Sequence, residues 1–199
     1  MLKRSFDFVF SLVGLCILTP LLLLISILVK ADSKGPVFYL QQRVGKGGQL
    51  FGLLKFRTMQ VDADKLTAIT VGKRDPRITR LGYYLRKYKL DELPQLINVI
   101  KGEMSLVGPR PELKKFVDLY TDEQRLVISI RPGVTDLASI EYRNENELLE
   151  GKDDPIGYYI QEIMPHKLEL NRYYLQHQSL KLDVQILFMT AVSIFKKGK

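Results

Sequence analysis

Tryptophan is absent from the 199 residues, cysteine occurs once and histidine twice. The single cysteine, Cys16, lies inside an apolar run, so an intramolecular disulfide and a cysteine metal cluster are both excluded, which fits a reducing, cytoplasm-facing setting. His166 and His177 stand far apart without metal-ligand spacing, and ordinary packing or surface roles are expected of them. Internal repeats and low-complexity blocks are also lacking. Acidic residues are in the minority, 22 against 30 Lys plus Arg, and the formal charge of +8 favours anionic partners such as nucleic acid, acidic headgroups or phosphorylated substrates. With 46% hydrophobic residues, the length suits one catalytic unit and a short appendage rather than two domains.

Apolar sequence is concentrated at the start. Phe6 to Val29 reads FDFVFSLVGLCILTPLLLLISILV, about the length that spans a hydrocarbon core as a helix. The VKADSKG that follows offers no small-residue cleavage pattern, so a removable signal peptide is not expected. Pro20 removes a backbone donor and clashes with the preceding turn, which predicts a break or sharp kink near the middle. Lys3 and Arg4 precede the run and Lys30 follows it, and basic flanks tend to stay on the cytoplasmic side. A helix–break–helix hairpin entering one leaflet satisfies both flanks, with the Thr19 hydroxyl serving a backbone group freed at the break. A Pro-kinked span is the alternative, and these residues alone leave both open.

Beyond the loop Ser33–Pro36, two β-rich stretches flank Gly45-Lys46-Gly47-Gly48 and predict a β-hairpin. Apolar positions between residues 75 and 104 predict two short helices meeting near Asp91–Pro94. SLVGPRPEL reads as a rigid turn built by Gly108, Pro109 and Pro111, and residues 111–130 as an amphipathic helix. RPGVT at 131–135 reads as a turn, ASIEYRN as a short strand, Glu145–Asp154 as a surface loop, and 155–178 as helix. The C-terminal LKLDVQILFMTAVSIFKKGK is too short in apolar residues for a span, and is expected to pack on the domain or lie in the interface with its lysines near anionic headgroups.

Asp91-Glu92 is the strongest local constellation. Adjacent carboxylates either share a divalent metal or divide into nucleophile and ligand. The plain alternative is a helix start, where acidic side chains favour the dipole. Arg74, Arg77, Arg80, Arg86, Lys87 and Lys89 precede the pair, Lys55 and Arg57 lie beside a strand end, and Arg110 sits between two prolines. A solvated basic face accounts for most single charges of this kind. It does not account for Arg110, whose rigid turn would hold a guanidinium ready to grip phosphate bidentately.

KFRTM, DPRITRLGYYLRKYKLDELPQLINVIKGEMSLVGPRPE and RPGVT together resemble the bacterial sugar transferase family of polyprenyl-phosphate glycosyl-1-phosphate transferases. The length and single N-terminal apolar segment resemble its small monotopic members. The likeness runs from KRSFDF to the LDV-containing C-terminal helix. It implies a mainly α fold with a small β-hairpin (α+β), with residues 1–33 as a re-entrant membrane anchor broken at Thr19-Pro20 and residues 34–199 as a cytoplasmic catalytic domain with interfacial amphipathic helices. Asp91 would attack the β-phosphate of a UDP-sugar, releasing UMP and forming a phosphosugar-enzyme intermediate that polyprenyl phosphate resolves.

Glu92, with Asp91, would hold Mg²⁺. Arg86 and Arg110 would grip phosphate, and Lys55 and Arg57 would join them. The implied partners are UDP-sugar, polyprenyl phosphate and lipids at the cytoplasmic face of the bacterial inner membrane, with no nucleic acid and with homo-oligomerisation compatible. Many members continue the RPGVT-like turn with Gly-Trp-x-Gln-Val, whereas this chain has Asp136-Leu137-Ala138-Ser139-Ile140. Two rival expectations are a non-catalytic basic binding module on the membrane, and a direct ternary transfer in which Asp91 serves only as a metal ligand.

Overall fold

The computed structural model describes residues 2–61, 63 and 75–195, so Arg74 lies outside the described residues. It is mostly helical. Helix α1 (Leu2–Asp32) opens the chain and continues through Pro20 as one helix, so of the break or sharp kink expected there it shows no division into two helices. Pro20 supplies no amide for the preceding turn, and the Thr19 hydroxyl donates to the Leu15 carbonyl at 2.7 Å within the same helix.

Strands β1 (Phe38–Val44) and β2 (Leu50–Phe56) form the expected antiparallel hairpin, with Phe38 opposite Phe56 and Val44 opposite Leu50. Its turn needs positive φ at Gly47 and Gly48, which glycine adopts without a Cβ penalty. Helices α2 (Arg80–Lys87) and α3 (Gln95–Lys101) follow, joined by a 3₁₀ turn at Leu90–Glu92, so the expected pair of short helices meets where Asp91 lies.

Several segments differ from their sequence patterns. Ser105–Val107 is strand β3 and Gly133–Thr135 is strand β4, and the two pair in parallel where turns were expected. Residues 111–130 do not form one helix. They give α4 (Lys114–Val117) and a 3₁₀ segment (Gln124–Ser129), because Thr121 and Gln124 satisfy each other's backbone amides and start a new turn. The expected strand at ASIEYRN is helix α5 (Leu137–Glu141), started by the Asp136 carboxylate, which accepts the Ser139 amide at 2.6 Å. The expected surface loop after Glu145 begins as helix α6 (Glu145–Leu149), whose Leu149 is buried in the core.

Residues 155–177 are helical as expected: α7 (Pro155–Tyr158), a π-turn and α8 (Met164–His177). Helix α9 (Leu180–Phe195) buries Ile186 and Asp183 but leaves Val184, Phe188, Met189 and Val192 exposed, so it is packed on one side only. The core around Leu53, Val99, Met104, Val107, Tyr174 and Ile186 joins β2, α3, β3, α8 and α9.

Both ends of α1 are fastened to the rest of the chain. Near its start, Lys3 donates to Asp183 at 2.7 Å, Arg4 donates to the Val99 and Ile100 carbonyls, and buried Asp7 accepts the Leu106 amide (3.1 Å) and the Ser105 hydroxyl (2.8 Å). Near its end, Ile25 and Val29 pack on Phe56 and Leu85, and Asp32 accepts the Leu81 amide at 3.2 Å. The stretch between is apolar and largely open, with Ile17 71% exposed.

Candidate active site

The turn between α2 and α3 holds the carboxylate pair. Lys89 adopts a left-handed conformation (φ 57°), the only positive φ outside glycine among the described residues. That conformation costs a residue with a Cβ about 1–2 kcal/mol, so the surrounding contacts fix it. It folds the chain back sharply, and Asp91 turns inward to 7% exposure. One of its oxygens, Oδ1, is buried without a hydrogen-bond partner. Pro94 then sets the entry to α3.

Glu92 is gripped from two sides. Arg110 addresses it with both terminal nitrogens, Nη1 to Oε2 at 3.1 Å and Nη2 to Oε1, the fork geometry that suits a carboxylate. Lys55, at the end of β2, approaches Oε1 at 3.3 Å. Burial alone would push the Glu92 carboxyl up, but the Arg110 and Lys55 charges outweigh it and hold that carboxyl well below its ordinary range. Asp91 moves the other way. Burial, then the neighbouring Glu92 charge, pushes its carboxyl up against the opposing cations Lys55, Arg86 and Lys89. Burial pulls the Lys55 ammonium down to about 8 despite Glu92, whereas the Glu92 charge pushes the Arg110 guanidinium further up and keeps it charged.

All of these groups face one cleft of about 1090 Å³, and Arg86 lines its wall beside Asp91. A volume of that order accommodates a nucleotide sugar. Arg57 is placed differently from the expectation. It borders the cleft, but its three guanidinium nitrogens donate to the carbonyls of Pro36 (2.6 Å), Lys34 (2.7 Å) and Ser33 (2.8 Å), so it fastens the loop after α1 and is not among the cations around Glu92.

No group of three or more His, Cys, Asp or Glu converges among the described residues. Magnesium needs fewer protein ligands, because one or two carboxylates plus substrate phosphates complete its octahedron. The unpartnered Asp91 oxygen and the lone pairs left on Glu92 beyond its two cations fit such an ion.

Sequence reasoning missed three contributors. Asn98 on α3 holds β2 in place, accepting the Leu54 amide (3.0 Å) and donating to the Gly52 carbonyl (2.9 Å). Arg43 pairs with Glu112 at 3.0 Å, and Tyr159 donates to the same carboxylate, forming a second, half-buried polar cluster on the cleft wall. Asp136 accepts the Arg110 amide at 3.0 Å. Asn98 and the Arg43–Glu112 pair carry no motif. Asp136 carried one signal, an N-cap residue type directly before the apolar Leu137 that begins α5.

Comparison with known proteins shows the family. The profile of the family described as bacterial sugar transferase matches residues 1–197. A Bacillus subtilis (strain 168) protein, provisionally named an undecaprenyl-phosphate N-acetylgalactosaminyl 1-phosphate transferase, is 43% identical over 153 residues, covering 77% of this chain and 82% of that protein. The exopolysaccharide production protein ExoY of Sinorhizobium fredii (strain NBRC 101917 / NGR234) is 37% identical over 96% of this chain and 84% of its own. The UDP-N-acetylgalactosamine-undecaprenyl-phosphate N-acetylgalactosaminephosphotransferase of Aeromonas hydrophila is also 37% identical, and there the chain spans 43% of the longer protein. With nearly every residue inside the family profile, the chain belongs to the bacterial sugar transferase family and is one of its glycosyl-1-phosphate transferases.

Proposed function

We propose that the protein transfers a sugar-1-phosphate from a UDP-sugar to undecaprenyl phosphate at the cytoplasmic face of the bacterial inner membrane, through a covalent intermediate on Asp91. The observation that carries this reading is the division of labour between adjacent carboxylates: Asp91 keeps a buried oxygen unpartnered while Glu92 is held by Arg110 and Lys55. A carboxylate left out of the ion pairs is what a nucleophile needs, and fixed cations beside it are what a phosphoryl group needs.

In the first half-reaction an Asp91 carboxylate oxygen bonds to the β-phosphorus of the donor. The bond from that phosphorus to the oxygen bridging to the α-phosphate breaks, and UMP leaves with the electron pair. In the second, a phosphate oxygen of undecaprenyl phosphate attacks the same phosphorus, the acyl-phosphate P–O bond to Asp91 breaks, and the carboxylate is regenerated with no net proton change. Arg110, Lys55 and Arg86 neutralise phosphate charge. Asp91 and Glu92 would hold Mg²⁺, which when bound adds positive charge at the phosphates. Two displacements at one carboxylate let a water-soluble donor and a lipid acceptor use the site in turn.

Residues 1–33 serve in this reading as a re-entrant anchor and residues 34–199 as the catalytic unit. A 31-residue helix is roughly 46 Å long at 1.5 Å per residue. A helix crossing the bilayer would leave one end on the far side, whereas Asp7 and Asp32 both bond to the catalytic unit, and the exposed apolar middle offers the lipid contact. That favours both ends on one side of the membrane over a bitopic span, and entry and return then requires α1 to bend at Pro20 within the lipid.

Purified enzyme given Mg²⁺, undecaprenyl phosphate and a panel of UDP-sugars is expected to release UMP with at least one donor. Asp91→Asn is expected to abolish that release without changing the thermal midpoint, and near-normal turnover in this variant would remove Asp91 as nucleophile.

A further inference from the structure

Arg110 owes its position to more than its two flanking prolines. Strands β3 and β4 approach so closely that a Cβ on Gly133 would lie 2.1 Å from the Gly108 nitrogen. Two backbone hydrogen bonds clamp the turn there, Gly108 to the Thr135 carbonyl (3.1 Å) and Gly133 to the Pro109 carbonyl (3.0 Å). The Arg110 amide is held by a side chain instead, Asp136 Oδ2 at 3.0 Å. The other oxygen of the same carboxylate accepts the Ser139 amide at 2.6 Å and starts α5. Asp136 is fully buried. One carboxylate therefore joins the turn that carries Arg110 to the helix whose Ala138 and Ser139 line the opposite stretch of the cleft.

The geometry points to Asp136 as a positioning residue for the transfer reaction: by fixing the Arg110 amide it keeps the Arg110 guanidinium in register with Glu92. A buried carboxylate is costly unless its oxygens are satisfied. Capping α5 does not require one, because serine, threonine and asparagine cap as well. A serine hydroxyl accepting the Ser139 amide does not also reach the Arg110 amide, 26 positions back in the chain. The assignment gives a task to the Asp136-Leu137 segment that follows the RPGVT stretch. It rests on the reading of Arg110 as a phosphate-gripping residue.

A double-mutant cycle on the full-length enzyme separates the two claims, with UMP release as the readout for wild type, Asp136→Ser, Arg110→Ala and the double variant. Asp136→Ser keeps the helix cap and is expected to lower kcat/KM about tenfold. In the Arg110→Ala background the same substitution is expected to cost less than about twofold, because the guanidinium it positions is gone. A merely structural role would give the same factor in both backgrounds. Equal factors, or wild-type kcat/KM in Asp136→Ser, overturn the inference. Wild-type kcat/KM in Arg110→Ala overturns the reading of Arg110 itself. Asp136→Asn, which keeps a carbonyl oxygen for one amide, replaces Asp136→Ser in the cycle if the serine variant does not fold, with the same criteria.

Discussion

Asp91 and Glu92 are neighbours in the chain whose carboxyls are driven in opposite directions, and that contrast sets the expected pH behaviour. As the proposed nucleophile Asp91 would have to be ionised to attack, and burial raises its carboxyl. Activity is therefore lost as pH falls through a value above the ordinary aspartate figure of about 3.9. Lys55 must be charged to grip phosphate, and burial lowers its ammonium to about 8. That charge is lost as pH rises through this value, which places the alkaline limb of kcat/KM near pH 8. Lys55→Arg stays charged throughout, and is expected to remove the alkaline limb. A wild-type profile flat between pH 7 and 10 would contradict the role given to Lys55. Arg110→Lys loses the fork on Glu92, and a fall of about 10–100-fold in kcat/KM is expected, near 1.4–2.8 kcal/mol. The carboxylate pair and Arg110 were legible because a dipeptide and two prolines are visible in a string. The direction in which Arg57 turns was not, since only the folded loop places the Ser33, Lys34 and Pro36 carbonyls around its guanidinium.

Among the elements, those whose signal lies within a few residues followed the pattern, and those fixed by a distant partner did not. The glycine-rich turn made the hairpin legible, and apolar spacing made α2 and α3 legible. Strands β3 and β4 are three residues each and exist only because each finds the other across the chain, so neither had enough length to show a period. Helix α1 was legible as apolar, but its attachment through Asp7 was not. Asp7→Ala leaves the buried Leu106 amide without its acceptor. A loss of about 1–3 kcal/mol is expected, read as a drop of roughly 2–4 °C in thermal midpoint per kcal/mol for a chain of this size. Lys89→Gly relieves the left-handed turn before Asp91, and is expected to raise the midpoint by a few degrees through about 1 kcal/mol. In a Cys16→Ser background, cysteines at Leu2 and Lys34 are expected to react with an impermeant reagent from the same face of the membrane. Labelling from opposite faces would make α1 a span.

At the scale of the whole molecule, three features converge on one chemistry. Helix α1 exposes an apolar surface while both its ends are bonded to the remainder of the chain. The net charge of +8 suits anionic headgroups and phosphorylated substrates. The cleft collects Lys55, Arg86 and Arg110 around a carboxylate pair. The central claim is that the sugar-phosphate passes through Asp91, and single-turnover trapping tests it most directly. Enzyme mixed with a donor labelled in its β-phosphate and quenched before lipid is added should carry the label on the peptide containing Asp91, and should lose it when undecaprenyl phosphate is supplied first. Transfer of label to lipid at the wild-type rate with none recovered on the protein would contradict the account and make Asp91 a ligand in a direct displacement.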